Sequence, residues 1–188
     1  MPGDVMDGGL TMAPEHPAVD AGPAAIARVV RPLYTPEQRV RRDATRWTLV
    51  QGILAPVQFL VFAVSVTLVL RSLLTGEGIL AAHISIIVKT IVLYTIMVTG
   101  AIWEKVVFGQ YLFAPAFFWE DAVSFVVIAL HTIYLGGLLT GRLSTTALFY
   151  VALAAYAVYV VNAVQFLLKL RAARLQEARM SSDRAVTS

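Results

Sequence analysis

The sequence predicts an all-α, polytopic membrane protein. The expected form is a bundle of four transmembrane helices with both termini cytoplasmic and an aromatic interfacial segment between helices 2 and 3. Three observations predict it. First, the 188 residues are 58% hydrophobic and only 14% charged, with mean hydropathy +0.72. A soluble domain of this size carries more charge, because it must cover its core with solvated side chains. Second, charges bracket long apolar runs. No charge lies between Arg46 and Arg71, only Lys89 between Glu77 and Glu104, none from Asp121 to Arg142, and none from Arg142 to Lys169. Third, the basic residues are lopsided. Arg28, Arg31, Arg39, Arg41, Arg42, Arg46, Lys105, Lys169, Arg171, Arg174, Arg179 and Arg184 fall on one side of a four-span topology, and only Arg71 and Arg142 on the other. Positive charge in short loops marks the cytoplasmic face.

The same composition excludes several classes. A soluble globular enzyme and a disordered chain are both ruled out. With no cysteine there is no disulfide scaffold, zinc–thiolate site, iron–sulfur cluster or cysteine nucleophile. The net charge of +3 and pI near 9.4 are read as topology, not as nucleic-acid affinity, so no nucleic-acid partner is expected.

Residues 1–33 are rich in Gly, Ala, Pro and Asp without apolar periodicity, and read as a disordered cytoplasmic tail. Thr35-Pro36-Glu37 reads as a helix start, with Thr35 at the N-cap and Pro36 at the first helical position. The basic stretch 39–46 is expected at the lipid headgroups. A hydrocarbon core of about 30 Å takes roughly 20 helical residues. The spans are therefore read at ~47–70, ~79–103, ~118–139 and ~145–168 within a membrane domain of 34–170, helical because lipid satisfies no open backbone group. Pro56 is expected to kink the first span. Residues 171–188 read as a basic cytoplasmic tail that extends the last helix and frays. No signal peptide is expected, since the first apolar run starts late.

Polar residues inside the spans are the functional candidates, because ionisable groups are costly in lipid. Lys89 is the clearest; its bland reading is snorkelling or pairing. His83 and His131 come to similar depths on neighbouring helices. Helical spacing gives each span one polar stripe: Gln51 and Gln58; Lys89 with Gly100 and Trp103; Glu120, Ser124 and His131; Tyr159, Asn162 and Lys169. Such stripes point into a bundle, partly as ordinary interhelical glue. Gly137 and Gly141 match the small-xxx-small packing pattern. No soluble-enzyme motif is present.

The segment from Trp103 to Asp121 differs. It holds Trp103, Glu104, Lys105, Phe108, Tyr111, Phe113, Phe117, Phe118, Trp119, Glu120 and Asp121 around Gly109 and Pro115. It is too broken for a span and too aromatic for a common loop, so it reads as interfacial or re-entrant. Three carboxyl groups converge there at one membrane depth.

The block from Lys89-Thr90 through Trp103-Glu104-Lys105 to Phe117-Phe118-Trp119-Glu120-Asp121 resembles the 3-vinyl (bacterio)chlorophyllide hydratase family of phototrophic bacteria. Tyr34-Thr35-Pro36-Glu37-Gln38-Arg39, Trp47 to Pro56 and Tyr159 to Leu170 resemble it too, so the likeness covers about residues 34–175. The resemblance implies addition of water to the C3-vinyl group of a magnesium chlorophyllide or bacteriochlorophyllide, a hydro-lyase step in bacteriochlorophyll biosynthesis for photosynthesis. It implies the bacterial inner or intracytoplasmic photosynthetic membrane and no cofactor, since magnesium arrives with the substrate. Neighbouring biosynthetic enzymes or a second copy of the chain are further expected partners. The family supplies no catalytic residues to carry over.

The chemistry of that reaction suggests roles. Protonating the terminal vinyl carbon develops positive charge beside the macrocycle, so a proton donor, a base for water and nearby negative charge are needed. Glu104, Glu120 and Asp121 are the expected catalytic residues. Glu104, at a helix C-terminus, is the first choice for the acid, because a helix N-terminus favours ionised Glu120 or Asp121. Trp103, Tyr111, Phe117, Phe118 and Trp119 are expected to contact the chlorin, Lys105 its propionate, and Lys89 the substrate. His131 is a candidate ligand of the substrate's magnesium, though its depth separates it from Glu104. Two other readings stand beside this one: a bis-histidine haem protein using His83 and His131, and a non-enzymatic pigment-binding or assembly protein.

Overall fold

The computed structural model describes residues 33–186. The tail expected over 1–33 lies, but for its last residue, outside them. Among the described residues all regular structure is α-helix: α1 (Pro36–Ala44), α2 (Arg46–Thr75), α3 (Ile79–Phe108), α4 (Phe118–Thr140) and α5 (Thr145–Val186). Four of them, α2, α3, α4 and α5 through Gln176, are long and apolar enough to cross a membrane.

The start of α1 follows its sequence. The Thr35 hydroxyl accepts the Gln38 amide, and the Gln38 side chain accepts the Thr35 amide at 2.9 Å, a reciprocal capping box with Pro36 in the first turn. Thr45 then ends α1 and caps α2 by accepting the Trp47 amide. Pro56 stands inside α2 without ending it.

The helices run past the expected ends. α2 continues to Thr75 and α3 to Phe108, although the charges Arg71 and Glu104-Lys105 suggested earlier stops. α2 closes on Gly76 and α3 on Gly109, each in the left-handed conformation that glycine adopts without steric cost. The basic extension of α5 stays helical to Val186.

α2 packs along α3 and α4 along α5. The two hairpins meet where α2 touches α5 and α3 touches α4. One apolar core joins Val69, Ala82, Ile86, Tyr134, Leu148, Phe149, Ala152 and Tyr156. Gly137 belongs to this packing: a Cβ there would meet the side chains of Leu143 and Leu148 at 2.6 and 3.0 Å. Gly141 instead ends α4 with φ 63°. The Gly-x-x-x-Gly match thus serves packing and capping within the chain.

The expected inward polar stripes are present. Gln58, Lys89, Thr90, Glu104, Glu120, Asp121, Ser124, His131 and Asn162 are all buried, while many large apolar residues of the helices are exposed. That inversion suits a helix bundle bathed in lipid.

Candidate functional site at the α3–α4 end

α1, the 109–117 connection and the later part of α5 gather at one end of the bundle. Leu33 donates its amide to Gln176, the Trp103 indole donates to Thr48 Oγ1 at 2.9 Å, and Lys169 donates to the Ala116 carbonyl. The last turns of α3 and the first turn of α4 bring Glu104, Glu120 and Asp121 together here. They are 5%, 5% and 4% exposed.

Each carboxyl group has a defined partner. Glu104 Oε2 accepts the Ala114 amide at 3.1 Å. Asp121 Oδ2 accepts the Phe113 amide at 2.7 Å. Two consecutive backbone N–H groups therefore hold one carboxyl from each helix. Glu104 and Asp121 are thereby brought beside each other and interact electrostatically. Glu120 is handled separately: Lys169 of α5 pairs with its Oε2 at 2.5 Å, with the ammonium 5.0 Å from the Phe117 ring centroid. The centre thus contains an ion pair beside a buried pair of carboxyl groups.

The connection is shaped for this. Phe113 has φ 57°, an unusual left-handed conformation for a bulky residue. Strain of this kind persists only where its surroundings over-determine it. Here the Asp121 carboxylate holds its amide, and its ring stacks on Phe125 at 5.4 Å and leans on Phe118 at 5.5 Å.

The aromatic residues expected at the substrate divide into two groups. Phe117 is buried and Trp103 half-buried, in one cluster with Tyr34, Phe108 and Phe166. Tyr111, Phe118 and Trp119 face outward, Trp119 at 70% exposure. Lys105 donates to the Gly109 carbonyl at 2.8 Å and stands 5.3 Å from the Tyr111 ring centroid, so it caps the end of α3. Lys89 and His131 lie elsewhere. His131 is ten residues along α4 from Asp121, about 15 Å at helical rise. His83 bonds Tyr134 through Nδ1 at 2.5 Å.

Lys169 was missed as a site residue. Its stripe with Tyr159 and Asn162 gave the right face of α5, but no sequence signal set its level against Glu120.

A polytopic helical membrane protein with a buried pair of carboxyl groups at one bundle end has the makings of an acid–base catalyst working on a membrane-borne substrate. The 2-vinyl bacteriochlorophyllide hydratase family matches residues 34–172. A 2-vinyl bacteriochlorophyllide hydratase from Rhodobacter capsulatus is 71% identical over 146 residues, covering 78% of this chain and 85% of the relative. The protein of that name from Cereibacter sphaeroides is 70% identical over 153 residues, covering 81% and 95%. The chain belongs to this family and is an enzyme of the hydro-lyase class. No solved structure matches the chain.

Proposed function

We propose that the chain adds water to the C3-vinyl group of a magnesium bacteriochlorophyllide or chlorophyllide, the 2-vinyl group of its relatives' name, to give a 1-hydroxyethyl group. The Glu104–Asp121 pair is the acid–base centre. Its proton goes to the terminal vinyl carbon, and cationic character develops on the carbon next to the ring. Water attacks that carbon and gives its extra proton to the carboxylate left behind. The pair regains the proton it lent, so the step needs no oxidant, reductant or added cofactor. Glu104 is the donor, since Asp121 lies in the first turn of α4, where the helix dipole favours the anion. Glu120, held by Lys169, contributes negative charge toward the developing cation.

The single observation supporting this assignment is the burial of Glu104 and Asp121 together, each fixed by one of two adjacent amides. Outward-facing Tyr111, Phe118 and Trp119 supply a surface on which a flat apolar macrocycle can settle from the membrane. The excess of basic residues at this end supports reading it as the cytoplasmic end, with both termini, and the pigment substrate supports a photosynthetic inner membrane.

The test uses membranes containing the chain, mixed with a 3-vinyl chlorophyllide in the dark without nucleotide or redox cofactor. The expected result is a blue-shifted red absorption band and a product heavier by one water. Glu104→Gln keeps an acceptor for the Ala114 amide and loses the acid. Its rate is expected to fall about 10²–10⁴-fold, the usual worth of general acid catalysis. Full activity in both Glu104→Gln and Asp121→Asn would remove the assignment.

A further inference from the structure

A second set of polar atoms lies farther up the bundle, drawn from all four long helices. Lys89 of α3 and His131 of α4 are fully enclosed. The Lys89 ammonium stands 3.7 Å from the Tyr159 ring centroid and has no hydrogen-bond acceptor among the described residues. His131 Nδ1 lies 2.8 Å from the Val127 carbonyl, which can only accept. Nδ1 therefore carries the hydrogen, and in the neutral ring Nε2 presents a lone pair, also without a partner. Gln58 of α2 is 2% exposed, and both its amide atoms lack partners. Asn162 of α5 donates to Ser124 Oγ at 2.8 Å but leaves its Oδ1 unmatched.

Register puts these atoms in one column. Phe62 of α2 packs on Tyr159 of α5, ring centroids 4.9 Å apart. Gln58 precedes Phe62 by one turn, and Asn162 follows Tyr159 by about one turn. Because α2 and α5 are antiparallel, Gln58 and Asn162 stand on the same side of Tyr159, toward the carboxyl end. Lys89 lies over Tyr159 itself, and the His131 ring is 5.9 Å from that of Tyr156, one turn of α5 farther from the carboxyl end.

Leaving such groups bare in a lipid-embedded core costs several kcal/mol each. Their chemistry narrows what satisfies them. Lys89 and the Gln58 nitrogen donate, whereas His131 Nε2, the Gln58 oxygen and Asn162 Oδ1 accept. An anion would suit the donors and oppose three acceptors. A metal cation would meet one imidazole and an ammonium. Water both donates and accepts, and buried waters typically make about three such bonds.

We propose that a cluster of ordered water molecules occupies the bundle core between Lys89, His131, Gln58 and Asn162. Its lower edge reaches Ser124, one helical turn from Asp121 and Glu120. Water is the co-substrate of the hydration, so this cluster is a store of it inside the membrane. That role rests on the proposed reaction; the cluster itself does not.

X-ray hydroxyl-radical footprinting of the full chain in lipid nanodiscs tests the cluster without substrate, independently of turnover. Ordered water makes radicals beside the side chains it touches. Tyr159 should label at least about tenfold faster than Phe149, an enclosed ring in the apolar core, and within a few-fold of exposed Tyr111. Lys89→Met should lower Tyr159 labelling several-fold and leave Tyr111 unchanged. Gln58→Leu is the second variant, should Lys89→Met not fold. Tyr159 labelling as slow as Phe149 in the unaltered chain would overturn the proposal.

Discussion

The two ends of the bundle meet the same kind of surface and treat charge in opposite ways. At one end the connections are short. Gly76 closes α2, Gly141 closes α4, and the pair Arg71–Glu77 spans 3.4 Å with both side chains more than half exposed. At the other end a nine-residue aromatic connection folds back, and three carboxyl groups and a lysine go inside. Neither hydropathy nor helix length distinguishes the ends. The difference is that one end spends polar groups on solvent and the other commits them to each other. On the proposed function, charge taken out of water at a bundle end and partnered there is what marks the working end.

Substitutions should rank along that contrast. The largest effect belongs to the carboxyl pair. Asp121→Asn should lower turnover by about 10²–10⁴-fold, and the Glu104→Gln/Asp121→Asn double variant should be little worse than either single one, because the pair acts as a unit. Losses that multiply in the double variant would break the pairing. Next comes Lys169→Met, which leaves the Glu120 carboxylate buried without its counter-charge. With the lysine itself about a quarter exposed, the expected cost is roughly 2 kcal/mol, read as a lower midpoint in denaturant unfolding, with Lys169→Arg recovering much of it. Gly109→Ala forces a side chain onto φ 87° and should cost about 1 kcal/mol in the same experiment, without new contacts to blame, since a Cβ there meets nothing within 4 Å. The smallest effect is at the opposite end. Arg71→Gln should change stability by less than about 0.5 kcal/mol and leave turnover intact, as exposed ion pairs do. A large loss there would erase the distinction between the ends.

Much of this was legible in the residues. Charges bracketing apolar runs gave four spans, and Thr35-Pro36 gave the first helix because its cap is local chemistry. Glu104, Glu120 and Asp121 were found together because both helices end at one depth. α3 runs to Phe108, past the span end read at ~103, for a physical reason: the Glu104 carboxyl group accepts the Ala114 amide and stays inside, so a charged residue type did not mark the helix end. The split among the aromatic residues was hidden, since Phe117 and Phe118 are neighbours in sequence and face opposite ways only once α4 begins. Phe113 gave no sign of its left-handed backbone; the tertiary hold of Asp121 imposes it.

The amides of Phe113 and Ala114 belong to consecutive residues, yet they grip different helices. Mechanically they act as a single rivet through two beams. The ends of α3 and α4 cannot part while the rivet holds, and the connection cannot lift without freeing both carboxyls at once. Opening this end is therefore all-or-nothing: the two carboxyl groups are released together or not at all.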